Sequence, residues 1–157
     1  ARDSLRTEAG LPLYGNELAG DLTLNPADAG FASYVKVWKP FFVGRKAYIA
    51  HEMKRDSKVV RFRLDNKGVR PPHHGDPLVN DKGRVVGIVT SCSIDSEGYQ
   101  LGQAYVKLDY AKKNTKLNVF AGSRNAKPIS AKDMDVGKRI TVPEPVTVLT
   151  RFPPRKK

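Results

Sequence analysis

The sequence predicts a mainly β protein, in which a small antiparallel barrel or sandwich follows a short helical and extended leader. Thirteen glycines and eleven prolines among 157 residues indicate many turns, and 39% hydrophobic residues are enough to build a core. From residue 56 onward, short apolar runs recur at a spacing of roughly 10–15 residues without a helical pattern between them. Five or six such runs are typical of an antiparallel β fold.

The leader begins with a predicted helix over residues 1–9. Ala1, Leu5 and Ala9 recur at the spacing of one helical face, and Gly10 is suited to the position just after a helix end. A helix this short is marginal in isolation, so we expect it to pack against another part of the protein. A turn at 14–16 and a loop over 20–30 follow.

Two further elements are predicted in the leader. In residues 31–39 (FASYVKVWK) both alternating faces are largely apolar, which indicates a mostly buried strand or extended segment. A short helix is predicted near 44–54, where the apolar stripe fits a helical period only loosely.

The second part of the chain reads as strands. In the first of them Val60, Phe62 and Leu64 alternate with Arg61 and Arg63, which predicts a half-buried strand with a cationic outer face. The predicted strands and turns lie at 58–68, in a hairpin over 76–91 around the turn 80–83, and at 101–108, 115–121 and 145–152.

The net charge of +12 is unevenly distributed. Residues 1–52 hold six Lys/Arg and six Asp/Glu, whereas residues 53–157 hold 22 Lys/Arg and 10 Asp/Glu. Such a basic module attracts nucleic acid, an acidic protein, a polyanionic cofactor or a membrane surface, although a merely solvated surface would have the same composition. No apolar run approaches the roughly 18 residues that span a bilayer, and residues 1–20 lack the apolar stretch expected of a signal peptide, so we expect no membrane partner.

The residues with reactive side chains form no recognised catalytic or metal-binding pattern. His51, His73 and His74 have no cysteine or histidine at a zinc-like spacing, and we predict no metal site. Ser91 and Cys92 lack the surroundings of a nucleophile. The single cysteine excludes an internal disulfide and favours a reducing compartment such as the cytoplasm.

Glu8 and Tyr14 are candidates for ligand binding. Glu8 precedes the predicted helix stop, and Tyr14 lies on the turn beyond it. A carboxylate accepts paired N–H donors from a flat heterocycle, and an aromatic ring packs against its face. From spacing alone, a surface glutamate and a turn tyrosine are the better explanation of the pattern.

The opening stretch ARDSLRTEAGLPLYGNEL resembles the signature of the glycine-cleavage T-protein family, the folate-dependent aminomethyltransferases. Asn25-Pro26, Val35-Lys36 and the segment FVGR (42–45) follow in the order of that family. The segment GRVVGIVTSCSIDSEGYQLGQAYV (83–106) is similar to the block near the family's carboxyl end. The resemblance covers nearly the whole chain.

The resemblance implies a six-stranded Greek-key barrel, of the kind shared with elongation factors, behind a folate-binding body. Residues 1–52 would be the tail of that body, 56–152 the barrel, and 153–157 a disordered tail. The family is longer than this chain, so the resemblance implies a carboxy-terminal portion of a larger enzyme.

The resemblance also implies a function. Family members take a one-carbon unit from a lipoyl carrier (H) protein during glycine catabolism and transfer it to tetrahydrofolate. Glu8 would bind the pterin, Tyr14 would lie near the same pocket, and Lys39 is the nearest match to a basic residue of the substrate site. The family's catalytic aspartate has no counterpart in this chain, so we expect no catalytic residue here and no activity of the chain alone.

Two alternatives stay open. Thr90-Ser91-Cys92 replaces the family's usual T-S-G, and this departure leaves room for a folate-dependent demethylase of the same family. The other alternative is a non-catalytic basic barrel that binds RNA or an acidic protein. An aromatic content of 8% disfavours the nucleic-acid version, since it leaves few stacking side chains.

Overall fold

A computed structural model describes residues 2–122, Val136 and residues 141–153, and its main body is a closed six-stranded antiparallel barrel. The leader contains helix α1 (Arg2–Ala9), a 3₁₀ turn (Ala32–Tyr34) and helix α2 (Arg45–Lys54). The strands are β1 (Ser57–Lys67), β2 (Pro77–Val79), β3 (Val85–Ile94), β4 (Tyr99–Lys107), β5 (Lys116–Val119) and β6 (Glu144–Leu149), with a second 3₁₀ turn at Leu108–Tyr110.

The strands are ordered β1-β4-β3-β2-β5-β6 around the barrel, and β6 pairs with β1 to close it. Three consecutive strands form a meander and β1 returns beside β4, which is a Greek-key arrangement. Phe62 on β1 lies opposite Gly102 on β4. A Cβ at Gly102 would lie 2.4 Å from the Phe62 ring, so the glycine makes room for this large core side chain.

The barrel interior is a core of aliphatic side chains around Phe62. They are fully or almost fully buried and include Leu64, Leu78, Val89, Val106, Leu117, Val119, Val146 and Val148. Alternation of inward apolar and outward polar residues produces this core, because successive strand residues face opposite sides of the sheet. The predicted mainly β class and six-stranded barrel are therefore confirmed.

In the leader, both helices lie where they were predicted, but the segment 31–39 between them differs from the prediction. Residues 31–39 form no strand; they contain the 3₁₀ turn and a series of turns, and Trp38 is 72% exposed. The prediction of a buried strand was wrong because a strand needs a partner to pair with, and the six described strands pair with one another in a closed barrel.

The predicted tail at 153–157 lies outside the described residues except for Pro153. Within the described part of the chain, none of the helices combines the length and the apolar character needed to cross a bilayer.

Candidate functional site

Helix α1 lies against β3 and β4 of the barrel. The contact between the barrel and residues 6–17, which include the carboxyl end of α1, is called the seam below. Gly10 follows the helix in the left-handed conformation, with φ of 76°. Its N–H donates to the Thr7 carbonyl at 3.1 Å, and the Leu11 N–H donates to the Arg6 carbonyl at 2.8 Å. This pair of bonds is the Schellman motif, which ends helices at glycine. The motif turns the chain so that the Leu11 carbonyl accepts a 2.8 Å bond from Gln103 Nε2.

Glu17 is the fully buried carboxylate of the seam. Its Oε2 accepts bonds from Arg6 Nη1 at 3.1 Å and from the Leu13 N–H at 2.9 Å, and its Oε1 accepts a 2.5 Å bond from the Ser91 hydroxyl. A buried carboxylate needs such partners, because an unpaired charge is costly in a low-dielectric interior. Glu17 therefore ties α1, the following turn and β3 together.

Two arginines of the barrel lie beneath the leader. Arg61 on β1 is 6% exposed, so the predicted cationic outer face of this strand is wrong at this position, because the leader covers it. A Cβ built at Gly10 would lie 3.0 Å from Arg61 Cδ and 2.4 Å from the Arg151 carbonyl. Arg151 Nε donates to the Ala29 carbonyl at 2.9 Å.

Burial lowers the pKa of both Arg61 and Arg151. Desolvation lowers the pKa of Arg61, and the Glu8 carboxylate partly offsets the shift. Desolvation lowers the pKa of Arg151 to about 10, with Glu17 opposing this shift and Arg61 adding to it. The seam therefore concentrates positive charge beside Glu8 and Glu17, and both guanidinium groups stay protonated at neutral pH.

The three predicted ligand-binding residues lie on the leader. Glu8 is half-buried at the end of α1, and its Oε1 accepts a 2.9 Å bond from the Ser96 hydroxyl of the β3–β4 turn. Tyr14 is 81% exposed, and Lys39 is exposed in the turns before α2. Within the described ranges, no hydrogen bond or ion pair joins these three side chains. Their assignment as a common site stays a prediction.

Sequence reasoning missed Glu17, the buried Arg61 and the half-buried Arg151. An isolated polar residue in a loop has no periodic signal, and Arg61 follows the alternation of an exposed strand position. One signal in the sequence could have suggested the ion pair of Arg6 and Glu17: a basic residue on the helix precedes a glutamate in the next turn. The sequence does not show that the barrel covers these two side chains.

Ser91 and Cys92 have structural roles. Ser91 is 8% exposed, and its hydroxyl donates its hydrogen bond to Glu17 Oε1. Burial raises the pKa of Cys92 to about 12, so its thiol stays protonated at neutral pH. A protonated thiol is a poor nucleophile, which argues against covalent catalysis at this residue.

A histidine and two carboxylates approach one another at Asp28, His51 and Glu52, with potential ligand atoms within 4.8 Å. The Asn25 amide oxygen accepts the N–H groups of Ala27 and Asp28, so its NH₂ group donates to His51 Nδ1 at 2.7 Å. His51 in its neutral form therefore has its proton on Nε2, which faces Asp28 Oδ2 at 3.6 Å. A protonated Nε2 has no lone pair for a metal, so the arrangement is better explained as an Asn–His–Asp contact.

The other two histidines diverge. His74 Nδ1 lies 2.9 Å from the Thr90 carbonyl, and the His73 backbone N–H donates to Asp76 Oδ2 at 2.8 Å. Because the Thr90 oxygen is an acceptor only, His74 Nδ1 has the proton of this bond.

Large apolar side chains are exposed along the leader. They include Leu5, Tyr14, Tyr34, Trp38, Phe41, Val43 and Met53, each at least 67% exposed. Helix α2 has no buried residue. These side chains are spread over residues 5–53, and those of them that form a contiguous apolar patch would mark an interaction site.

Comparison with known proteins identifies close relatives. The chain is 40% identical over 121 residues to a protein of Saccharopolyspora erythraea named Aminomethyltransferase, an alignment that covers 75% of this chain and 32% of the relative. It is 37% identical over 128 residues to an Aminomethyltransferase of Halothermothrix orenii, covering 79% of this chain and 34% of that protein. The chain thus spans about one third of the length of the curated relatives it matches. No family model matches it.

A solved structure has the same fold. The glycine cleavage system aminomethyltransferase T from Bartonella henselae superposes with a TM-score of 0.74 at 24% identity, covering 96% of this chain and 37% of that chain. At 24% identity, this structural match supports the fold alone. The family resemblance predicted from the sequence motifs is confirmed by the curated relatives.

Proposed function

This chain is a relative of the aminomethyltransferases in a segment equal to about one third of their length, and on that premise we propose that it is the carboxy-terminal part of a tetrahydrofolate-dependent aminomethyltransferase. Residues 1–52 are the tail of the folate-binding body, and 56–152 are the barrel domain. The observation that carries the proposal is the homology over most of the chain. The arrangement of the leader adds physical support.

Glu8 and Tyr14 fit a pterin. One oxygen of Glu8 is held by Ser96, and the other has no hydrogen-bond partner within the described residues, so it is available to a ring N–H. Tyr14 presents an exposed ring on the turn that follows. Tetrahydrofolate supplies the nitrogen atoms that accept the one-carbon unit. The residues of this chain bind and orient it.

The Ser96 bond fixes the direction of Glu8. A hydroxyl donor on one carboxylate oxygen holds the plane of the group and leaves the other oxygen as an acceptor of defined position. Arg61 lies within electrostatic reach of Glu8, since the Glu8 carboxylate partly offsets the lowering of the Arg61 pKa by burial. Lys39 offers an exposed ammonium group for an anionic part of the substrate.

The basic barrel suits an acidic partner. Residues 53–157 contain the whole net charge of +12, and a lipoyl carrier (H) protein with an acidic surface would be attracted to such a field. In this proposal the catalytic acid–base group belongs to a part of the enzyme other than this chain. The chain contributes ligand positioning and carrier recognition, acts in the cytoplasm, and is inactive alone.

The test is an assay of the complete protein that contains this segment, with two donors compared. We expect tetrahydrofolate-dependent release of ammonia from an aminomethyl-loaded lipoyl carrier. Transfer from methylated small molecules instead would assign the folate-dependent demethylase alternative. Absence of any tetrahydrofolate-dependent transfer with either class of donor would contradict the proposal.

A further inference from the structure

A cavity of about 640 Å³ opens between the leader and the barrel, at the end of the barrel where β1 begins and β6 ends. Five cationic side chains line it: Arg55, Lys58, Lys112, Lys113 and Arg151. They come from the residue after α2, from β1, from the segment after the second 3₁₀ turn and from the segment after β6. The fold therefore brings together cations that lie far apart in the sequence.

These cations have little compensating negative charge. Among the described residues, Asp28 is the single carboxylate of the lining, and it is fully buried with Oδ2 accepting the Asn25 N–H at 2.9 Å. Arg55 Nε forms an ion pair with Glu52 at 3.3 Å. The other four cations have no ion pair with any described residue. A concave surface with unpaired positive charge focuses its field and attracts anions.

The two arginines are held in place by one loop. Arg55 Nη1 donates to the Ala27 carbonyl at 3.2 Å, and Arg151 Nε donates to the Ala29 carbonyl at 2.9 Å. Guanidinium groups fixed by backbone acceptors lose less conformational freedom when a ligand binds than free side chains do. The positive charge at this end of the cavity is therefore pre-positioned.

We propose that this cavity binds a small anion with two or more oxyanion groups, either phosphates or carboxylates. Its volume suits a small molecule. A single negative charge would leave most of the cations unpaired, whereas a multiply charged ligand contacts the exposed ammonium groups of Lys112 and Lys113 together with Lys58. The inference does not depend on the one-carbon function.

The test is a calorimetric titration of the chain with two probes, pyrophosphate and citrate, at about 20 mM salt. We expect saturable binding of at least one probe with a stoichiometry near one, and saturation by one or both tells which oxyanion the cavity accepts. The double variant Lys112→Gln/Lys113→Gln should bind about tenfold more weakly, since it removes two of the cations that would contact the ligand.

The control variant is Lys46→Gln/Lys54→Gln, which removes the same charge from two exposed residues of α2 that do not line the cavity. It should change the affinity less than twofold. If neither probe saturates, or if the two double variants weaken binding equally, the anion feels only the overall charge and the proposed site does not exist. Circular dichroism of each variant confirms that the barrel is folded.

Discussion

The Ser91 hydroxyl donates a 2.5 Å hydrogen bond to Glu17 Oε1 and so joins β3 to a turn 74 residues earlier in the chain. The same carboxylate accepts Arg6 and the Leu13 N–H through its other oxygen. One buried side chain thus connects the leader helix, the leader turn and the barrel. The position of Glu8 depends on this connection, because Glu8 lies on the same helix as Arg6.

Replacing Glu17 by glutamine should destabilise the leader. The change leaves the Arg6 guanidinium with the exposed Asp3 as its remaining charged partner among the described residues, and breaking the buried pair with Glu17 costs up to about 3–5 kcal/mol. Urea denaturation measures the loss, and hydrogen exchange of the α1 amides shows whether the leader opens first. Asp21→Asn, an exposed change of the same charge, is the control and should stay within about 0.5 kcal/mol of the parent. Equal stabilities of the two variants would refute the role of Glu17.

Gly10→Ala should cost more than a positive φ alone explains. An alanine in the left-handed region costs roughly 1–2 kcal/mol, and here its Cβ would also lie 2.4 Å from the Arg151 carbonyl. Gly15→Ala is the matched control, because Gly15 has φ of 96° and its Cβ would meet nothing within 4 Å. Thermal or urea unfolding should show Gly10→Ala to be less stable than Gly15→Ala by at least about 1 kcal/mol. Similar losses of stability in both variants would mean that Gly10, at the end of α1, is not in close contact with the barrel.

Cys92 should make stability fall at alkaline pH. The pKa of its thiol rises from 9.0 to about 12 on folding, so the unfolded chain loses its proton first as the pH increases. The favourable contribution is complete below pH 9 and is lost between about pH 9 and 12, with a slope of up to about 1.4 kcal/mol per pH unit. Subtracting the stability of Cys92→Ala at each pH removes the titration of other groups. A difference that does not vary with pH would show that the folded thiol titrates normally.

Association with an acidic lipoyl carrier should weaken steeply with salt. The charge of the barrel acts over roughly 10 Å at 0.1 M salt and over much less at higher concentrations. We expect the dissociation constant to rise at least about tenfold between about 50 and 500 mM salt. Circular dichroism over the same range verifies that the barrel stays folded. An affinity independent of salt would exclude electrostatic recognition of the carrier.

The barrel was predictable because its strands have local signals. Val60, Phe62 and Leu64 alternate with polar residues, and the turn at Asn80–Gly83 has residues that favour a reversal. Asn80 Oδ1 accepts the Lys82 and Arg84 N–H groups, and Gly83 has φ of 76°. These features depend on neighbours in the sequence, so they could be identified without the fold.

The leader was less predictable because its structure depends on distant residues. The apolar alternation of 31–39 indicates a strand, yet the six described strands pair with one another in a closed barrel, and Trp38 stays exposed. Arg61 follows the pattern of a surface position and becomes buried only because α1 and Gly10 cover it. Glu8 was singled out by motif resemblance, whereas its bond to Ser96, 88 residues away, could not be inferred from spacing.

The central claim is that Glu8 binds the pterin of tetrahydrofolate, and equilibrium binding to the complete protein tests it most directly. Calorimetric titration should show that Glu8→Gln weakens tetrahydrofolate binding about 10- to 100-fold, because a charge-assisted bond contributes about 1.5–3 kcal/mol. Asp81→Asn, an exposed change of the same charge on the barrel, should leave the affinity unchanged. Equal affinities of the parent, Glu8→Gln and Asp81→Asn would contradict the claim.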